Sequence, residues 1–206
     1  MLHNAPNVAR WFLHHPGYHT GKVGVETGEI YYRYTESMNG LKIHGSRLSE
    51  NILRIAHYPL DIYNEKSAPK ERHGTAYCLR KGSGKTIIHD LNNSVLIDGK
   101  SHKEIAEIFK RSKQFISYDT QTAYSRFAYL CGCESIVIPD EGVSIDEWHP
   151  NEADRFGIAY GLDDLDRANS TRTKAIENTH KFLLKSDQNA QIAAEEMLQY
   201  FKKARS

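Results

Sequence analysis

Residues 101–140 read SHKEIAEIFKRSKQFISYDTQTAYSRFAYLCGCESIVIPD, and this stretch decides the fold class. Ser101 followed three residues later by Glu104 has the spacing of a capping box, and Ile105, Ile108 and Phe109 then make one apolar helix face. QFISYD (114–119) reads as a strand, TQTAYSRFAYLCG (120–132) as a helix ended by Gly132, and ESIVIPD (134–140) as a second strand. Helices and strands alternating through short connections predict a parallel sheet covered by helices on its faces.

Outward from that centre the pattern continues. GTAYCLRKG (74–82) is a strand running into a basic turn, SVLID (94–98) is a strand ending in Asp98, and RFGIAYG (155–161) supplies one more strand. From Asp163 onward the chain reads as helical, with Ala168, Ile176, Phe182 and Leu183 in one periodic run and Ile192, Met197, Tyr200 and Phe201 in another. These are expected to be helices that pack back on the sheet or toward a partner domain. Toward the N-terminus, Val8, Trp11, Phe12 and His15 have helical spacing before Pro16-Gly17, GEIYYRYTE (28–36) is an aromatic-rich strand, and SENILRIAHYPLDIY (49–63) holds a short apolar run. A helix opening within about six residues of Met1 is expected to follow an element lying further upstream.

Composition narrows the class. With 206 residues and 39% hydrophobic content, the chain suffices for one large or two small domains. Lys+Arg 27 against Asp+Glu 26 leaves a formal charge of +1, so no overall field points to a nucleic-acid partner. No apolar run approaches the roughly 20 residues of a membrane span, and the opening residues lack a secretory leader's features, which predicts a cytoplasmic address. Cys78, Cys131 and Cys133 cannot all pair and read as reduced, buried thiols; no zinc-like ligand spacing is present. His14, His15 and His19 read as loop histidines around Pro16-Gly17, and no metal is expected.

YCLRKGSGKTIIHD (77–90) contains GSGKT, the ending of a phosphate-binding loop. A full P-loop needs a glycine five residues before Gly84, where this chain has Leu79, and it needs a helix immediately afterwards, for which TIIHDLNN is a poor start. A glycine-rich basic turn after a strand remains. In open α/β sheets ligands gather beyond the C-terminal strand ends, where three turns here carry suitable chemistry. In the first, Arg80, Lys81 and Lys85 supply positive charge while Gly82 and Gly84 permit close backbone approach. In the second, after Asp119, the hydroxyls of Thr120, Thr122 and Ser125 with the helix N-terminus form another anion site. The third, PDEGVS (139–144), holds Pro139, Glu141 and Gly142. A diphosphate bridging the first two turns, with its organic ends reaching the third, explains all three jointly.

The run EIFKRSKQFISYDTQTAYSRFAYLCGCESIVIPDEGVSIDEW (104–148) resembles the C-terminal, donor-binding domain of GT-B type glycosyltransferases, especially bacterial enzymes of surface-polysaccharide biosynthesis. FAYLCGCESIVIP occupies the place of that family's EAMACGxPV segment, and NVARWFLHHPGYHTG is similar to the segment joining the two halves of such enzymes. The resemblance implies a Rossmann-like parallel sheet flanked by helices, one GT-B half, spanning residues 74–206 with the C-terminal helices. Residues 1–73 would then be an N-terminal helix and strands, a linker or remnant of the acceptor side. Arg80 and Lys85 would hold the donor diphosphate, supported by Thr122, Tyr124 and Ser125; Asp119, Pro139, Glu141 and Gly142 would face the donor sugar or nucleotide. The family glutamate that binds the donor ribose aligns with Phe127, a departure that leaves the nucleotide open.

The implied activity is transfer of a sugar from a nucleotide-diphosphate donor to a glycan or glycolipid acceptor at the inner face of the membrane. The nucleotide sugar would be the substrate, with no cofactor, no metal and no assigned catalytic base, and a missing N-terminal domain is an expected partner. The alternatives are a non-catalytic nucleotide- or phosphosugar-binding module and, below it, a P-loop phosphotransferase.

Overall fold

The computed structural model describes residues 5–18, 21–24, 26–34, 38 and 40–203. It divides the chain into two compact units, Tyr58–His180 and Met1–His57 with Lys181–Ser206.

The Tyr58–His180 unit holds five strands: β4 (Thr75–Cys78), β5 (Ser94–Leu96), β6 (Gln114–Ser117), β7 (Glu134–Val137) and β8 (Ile158–Tyr160). All pair in parallel, in the order β5-β4-β6-β7-β8. The period-two alternation of each strand sends side chains to two separate clusters. Ala76, Cys78, Phe115 and Val137 join one, while Tyr77, Ile116, Tyr118, Ile136 and Ala159 join the other. Both faces are thus buried, the condition under which parallel sheets occur. The result is an α/β, Rossmann-like fold.

Helices α1 (His102–Arg111), α2 (Tyr124–Leu130) and α3 (Ile145–Trp148) follow from local signals. The Ser101–Glu104 capping box forms as predicted and starts α1, whose Ile105, Ala106 and Phe109 are buried on the first cluster. Full burial of Ile105 or Phe109 contributes about 1.5–3 kcal/mol each. Helix α2 ends at Gly132, whose φ of +81° is the left-handed cap that glycine adopts without strain. Residues 58–73, expected with the N-terminal portion, belong to this unit. Tyr63 stacks on Phe127 at 4.3 Å, and Arg72 donates to the Cys131 carbonyl at 2.7 Å.

The C-terminal helices expected from two periodic runs are one continuous helix, α4 (Leu165–Lys203, 39 residues). No glycine or proline lies between Leu162 and Ser206 to break it. Its first turns place Leu165 and Ala168 against the second face of the sheet. Among the described residues no helix is long and apolar enough to cross a membrane.

The other unit contains a parallel sheet of β1 (Ala9–Phe12), β2 (Ile30–Arg33) and β3 (Arg47–Ile52), with β2 central. Segment 8–15, predicted helical, is therefore a strand where it is regular. Residues Ala9 to Phe12 alternate between exposed and half-buried, Phe12 stacks on Tyr31 at 5.3 Å, and pairing with the fully buried β2 overrides the helical spacing. Residues 181–203 of α4 cover this sheet through Ala193, Met197, Tyr200 and Phe201. Glu29 is buried with a bidentate partner in Arg10, whose hydrogen bonds hold the carboxyl down at about 2.

Candidate functional site

Because every strand of the five-stranded sheet runs the same way, all C-terminal ends lie along one edge. The strand order reverses at β4, since β5 lies on one side of it and β6 on the other. That reversal leaves a crevice beyond the ends of β4 and β6, the general ligand position of open α/β sheets. The turn after β4 occupies it.

Three features fix that turn. The backbone N–H groups of Leu79 and Arg80 both donate to Asp98 Oδ2, at 3.0 and 3.1 Å, which ties the turn to the residue just past β5. Arg80 has φ +43°, a left-handed conformation that costs a side-chain-bearing residue of order 1–3 kcal/mol and persists only where its surroundings enforce it. Gly82 is buried against β6, where a Cβ would meet the Tyr118 carbonyl oxygen at 1.9 Å. Gly82 thus serves close packing of the turn onto the sheet. After this 3-10 turn no α-helix follows until α1, only a second 3-10 turn at Leu91–Asn93, so the GSGKT run does not form a P-loop.

The predicted side chains largely converge. Arg80 Nη1 lies 3.5 Å from Thr122 Oγ1, its Nε 3.9 Å from Asp119 Oδ2, and its guanidinium carbon 5.2 Å from the Tyr124 ring centre. Lys85 Nζ donates to the Ile138 carbonyl at 2.6 Å and meets Asp140 Oδ1 at 2.7 Å. The other oxygen of Asp140 accepts from Thr120 Oγ1 at 2.9 Å. One carboxylate therefore joins all three turns, and the hydrogen bond from Lys85 holds it below the usual carboxylate range. Lys81 and Gly84 are open to solvent beside this cluster.

Other predicted residues are placed differently. Helix α2 begins at Tyr124, not at Thr120, and its cap residue Ala123 makes no side-chain bond. Residues 120–123 form a turn because Asp119 Oδ1 accepts from the Gln121 N–H at 3.0 Å and Thr122 Oγ1 from the Tyr124 N–H at 3.3 Å. Ser125 is buried with a hydroxyl that has no hydrogen-bond partner. Pro139 is half-buried beside Gly161, and Glu141 and Gly142 are exposed at the tip of their loop. Of the three loop histidines, His14 and His15 are exposed and His19 lies outside the described residues. The three cysteines are free and buried, and burial pushes the Cys78 and Cys131 thiols up to about 11 and 12, which excludes them as nucleophiles near neutral pH.

A cleft of about 210 Å³ opens beside the second turn, lined by Tyr58, Thr122, Ser125, Arg126, Trp148 and His149 among others. Trp148 is held by its Nε1 donating to the Thr120 carbonyl at 2.8 Å and by stacking on Tyr160 at 4.7 Å. Burial lowers the pKa of His149, favouring the neutral imidazole. Sequence reading missed Arg126, Trp148 and His149. The signal was present in SIDEWH (144–149), where Ser144 and Glu147 form a capping box that starts α3 and turns Trp148 inward. Phe127, where the resemblance expects a ribose-binding glutamate, is buried between Tyr58 and Tyr63.

Comparison of the chain with known protein families, with characterised proteins and with solved structures finds no match.

Proposed function

We propose that the Tyr58–His180 unit binds the diphosphate of a nucleotide sugar on the turn after β4, and that the chain is a glycosyltransferase of surface-polysaccharide synthesis or its donor-binding part. The observation that carries this reading is the strained Arg80, held with Lys85 above the point where the strand order reverses. Two cations anchored by backbone and carboxylate contacts suit a diphosphate, whose developing charge during transfer they would stabilise without a metal. The sugar or base would enter the neighbouring cleft, where aromatic faces of Tyr58 and Trp148 meet hydroxyl groups. The acceptor would be a glycan or glycolipid at the inner face of the membrane.

A second reading, a binding module without turnover, has its own support. The acidic groups around the turn, Asp98, Asp119 and Asp140, already hold backbone N–H groups or cationic side chains, so no acceptor base is assigned. A phosphotransferase of the P-loop kind is disfavoured by the missing helix after Lys85. A thermal-shift panel of Mg-ATP against UDP-, GDP- and dTDP-sugars separates the nucleotide classes.

Calorimetric titration tests the site. Lys85→Ala should weaken binding of the nucleotide sugar by about 1.5–3 kcal/mol, the range for a charge-assisted hydrogen bond, with little change in melting temperature. Arg80→Ala should act similarly, and the two losses should be less than additive because both groups touch one diphosphate. Wild-type affinity in both variants would overturn the reading.

A further inference from the structure

We propose that Asp140 is an internal competitor for the anion site, holding Lys85 closed to weakly bound single anions and open to ligands with a second attachment point. The proposal rests on the reading of the turn after β4 as an anion site and adds what decides its occupancy.

The geometry of Lys85 carries the argument. An ammonium has three N–H donors, and here one goes to the Ile138 carbonyl at 2.6 Å and another to Asp140 Oδ1 at 2.7 Å. An incoming oxyanion therefore meets a lysine already neutralised by a carboxylate. The two partners differ in freedom: the Lys85 side chain is 19% exposed and the Asp140 side chain 48%. The lysine is anchored, whereas the carboxylate can turn into water at small cost. Thr120 Oγ1, 2.9 Å from the other oxygen of Asp140, gives it a partner after it leaves Lys85.

Displacing Asp140 imposes the same penalty on every anion. A diphosphate offsets it by also reaching Arg80, whose Nε lies 3.9 Å from Asp119 and whose side chain is 48% exposed. Orthophosphate, chloride or bicarbonate has no comparable second contact and is held off. Asp140 thereby weakens every anion by one factor, so that at a given concentration only a ligand held at a second point stays bound, with no direct contact between it and Asp140 required.

The test is titration of the full chain with inorganic pyrophosphate, for wild type, Asp140→Asn, Lys85→Ala, the double variant and Asp163→Asn. Asp140→Asn should bind about twofold to fivefold more tightly than wild type, the upper part of the span expected for releasing a partly exposed ion pair. In the Lys85→Ala background the same substitution should add no such gain, because the competed group is gone. Asp163→Asn, an equal change in net charge at an exposed position just past β8 on the same sheet edge, should stay near wild type, and melting curves confirm folding of each variant. If Asp140→Asn binds no better than wild type while Lys85→Ala binds worse, the competitor is refuted and the anion site stands. A gain that persists without Lys85, or that Asp163→Asn reproduces, is a general charge effect and also refutes it. Absence of binding in wild type and Asp140→Asn alike would overturn both the competitor and the site.

Discussion

Replacing Gly82 by Ala should cost the chain about 3 kcal/mol of stability, the upper part of the usual range for forcing atoms into a packed interior. The added Cβ would lie 1.9 Å from the Tyr118 carbonyl oxygen and 2.3 Å from its carbon. These are backbone atoms just past a central strand, bonded on both sides, and they cannot retreat as a flexible side chain would. The turn must lift instead, taking Arg80 and Lys85 away from Asp119 and Asp140. Anion affinity should fall together with stability. Gly84 is the control two residues away: nothing lies within 4 Å of its Cβ position, so Gly84→Ala should stay within about 0.5 kcal/mol of wild type. Urea melts of the two variants check this, and equal midpoints would refute the packing role of Gly82.

A still larger effect is expected from Phe127→Glu, the substitution that restores the glutamate of the GT-B resemblance. Phe127 is 5% exposed, stacks on Tyr63 at 4.3 Å and meets the edges of Tyr58 and Tyr124. Removing a buried aromatic ring costs about 3–5 kcal/mol, and burying a carboxylate there without a cationic partner adds to it. The total is comparable with the whole stability of a small domain, so the variant should be unfolded or aggregated near neutral pH. A folded Phe127→Glu protein with a wild-type melt and tighter nucleotide binding would show instead that this position faces ligand.

The parts of the fold that were legible in the sequence are those specified locally. Ser101 with Glu104 marks the start of α1 without reference to anything distant, and the strand alternation from Ala76 to Tyr160 follows from a sheet buried on both faces. What failed was set by competition or by tertiary contact. Val8, Trp11, Phe12 and His15 fit a helical period, but a regular segment of four residues is too short for period 2 and period 3.6 to be told apart, and pairing with β2 decided it. The continuity of α4 was hidden because its buried positions include small or polar residues, Ala168, Ala175, Thr179, Ser186 and Ala193, so its large apolar residues read as two separate runs.

The candidate site divides the same way. Its cations were visible as a basic turn after a strand, and its position follows from the strand order. The contacts that define its electrostatics were not visible. Lys85 and Asp140 are 55 positions apart, Arg80 is shaped by Asp98, and Gly82 is required by Tyr118. Each pairing exists only because parallel strands bring their ends to one edge. Arg126 and His149 were missed for a further reason: the capping box of Ser144 and Glu147 marks a helix but not what it packs on, and only the fold brings residue 148 against the turn at Thr120.

The central claim, that a diphosphate binds where the strand order reverses, is tested most directly by following backbone amide resonances during titration with UDP and GDP. The largest shifts should fall on Lys81 to Lys85 and on Thr120 to Thr122, with smaller ones at Trp148 and His149. Shifts confined to other parts of the chain, such as the cleft formed by Ile52, Phe182 and Asn189, or no shifts around Lys85 at saturating nucleotide, would contradict it.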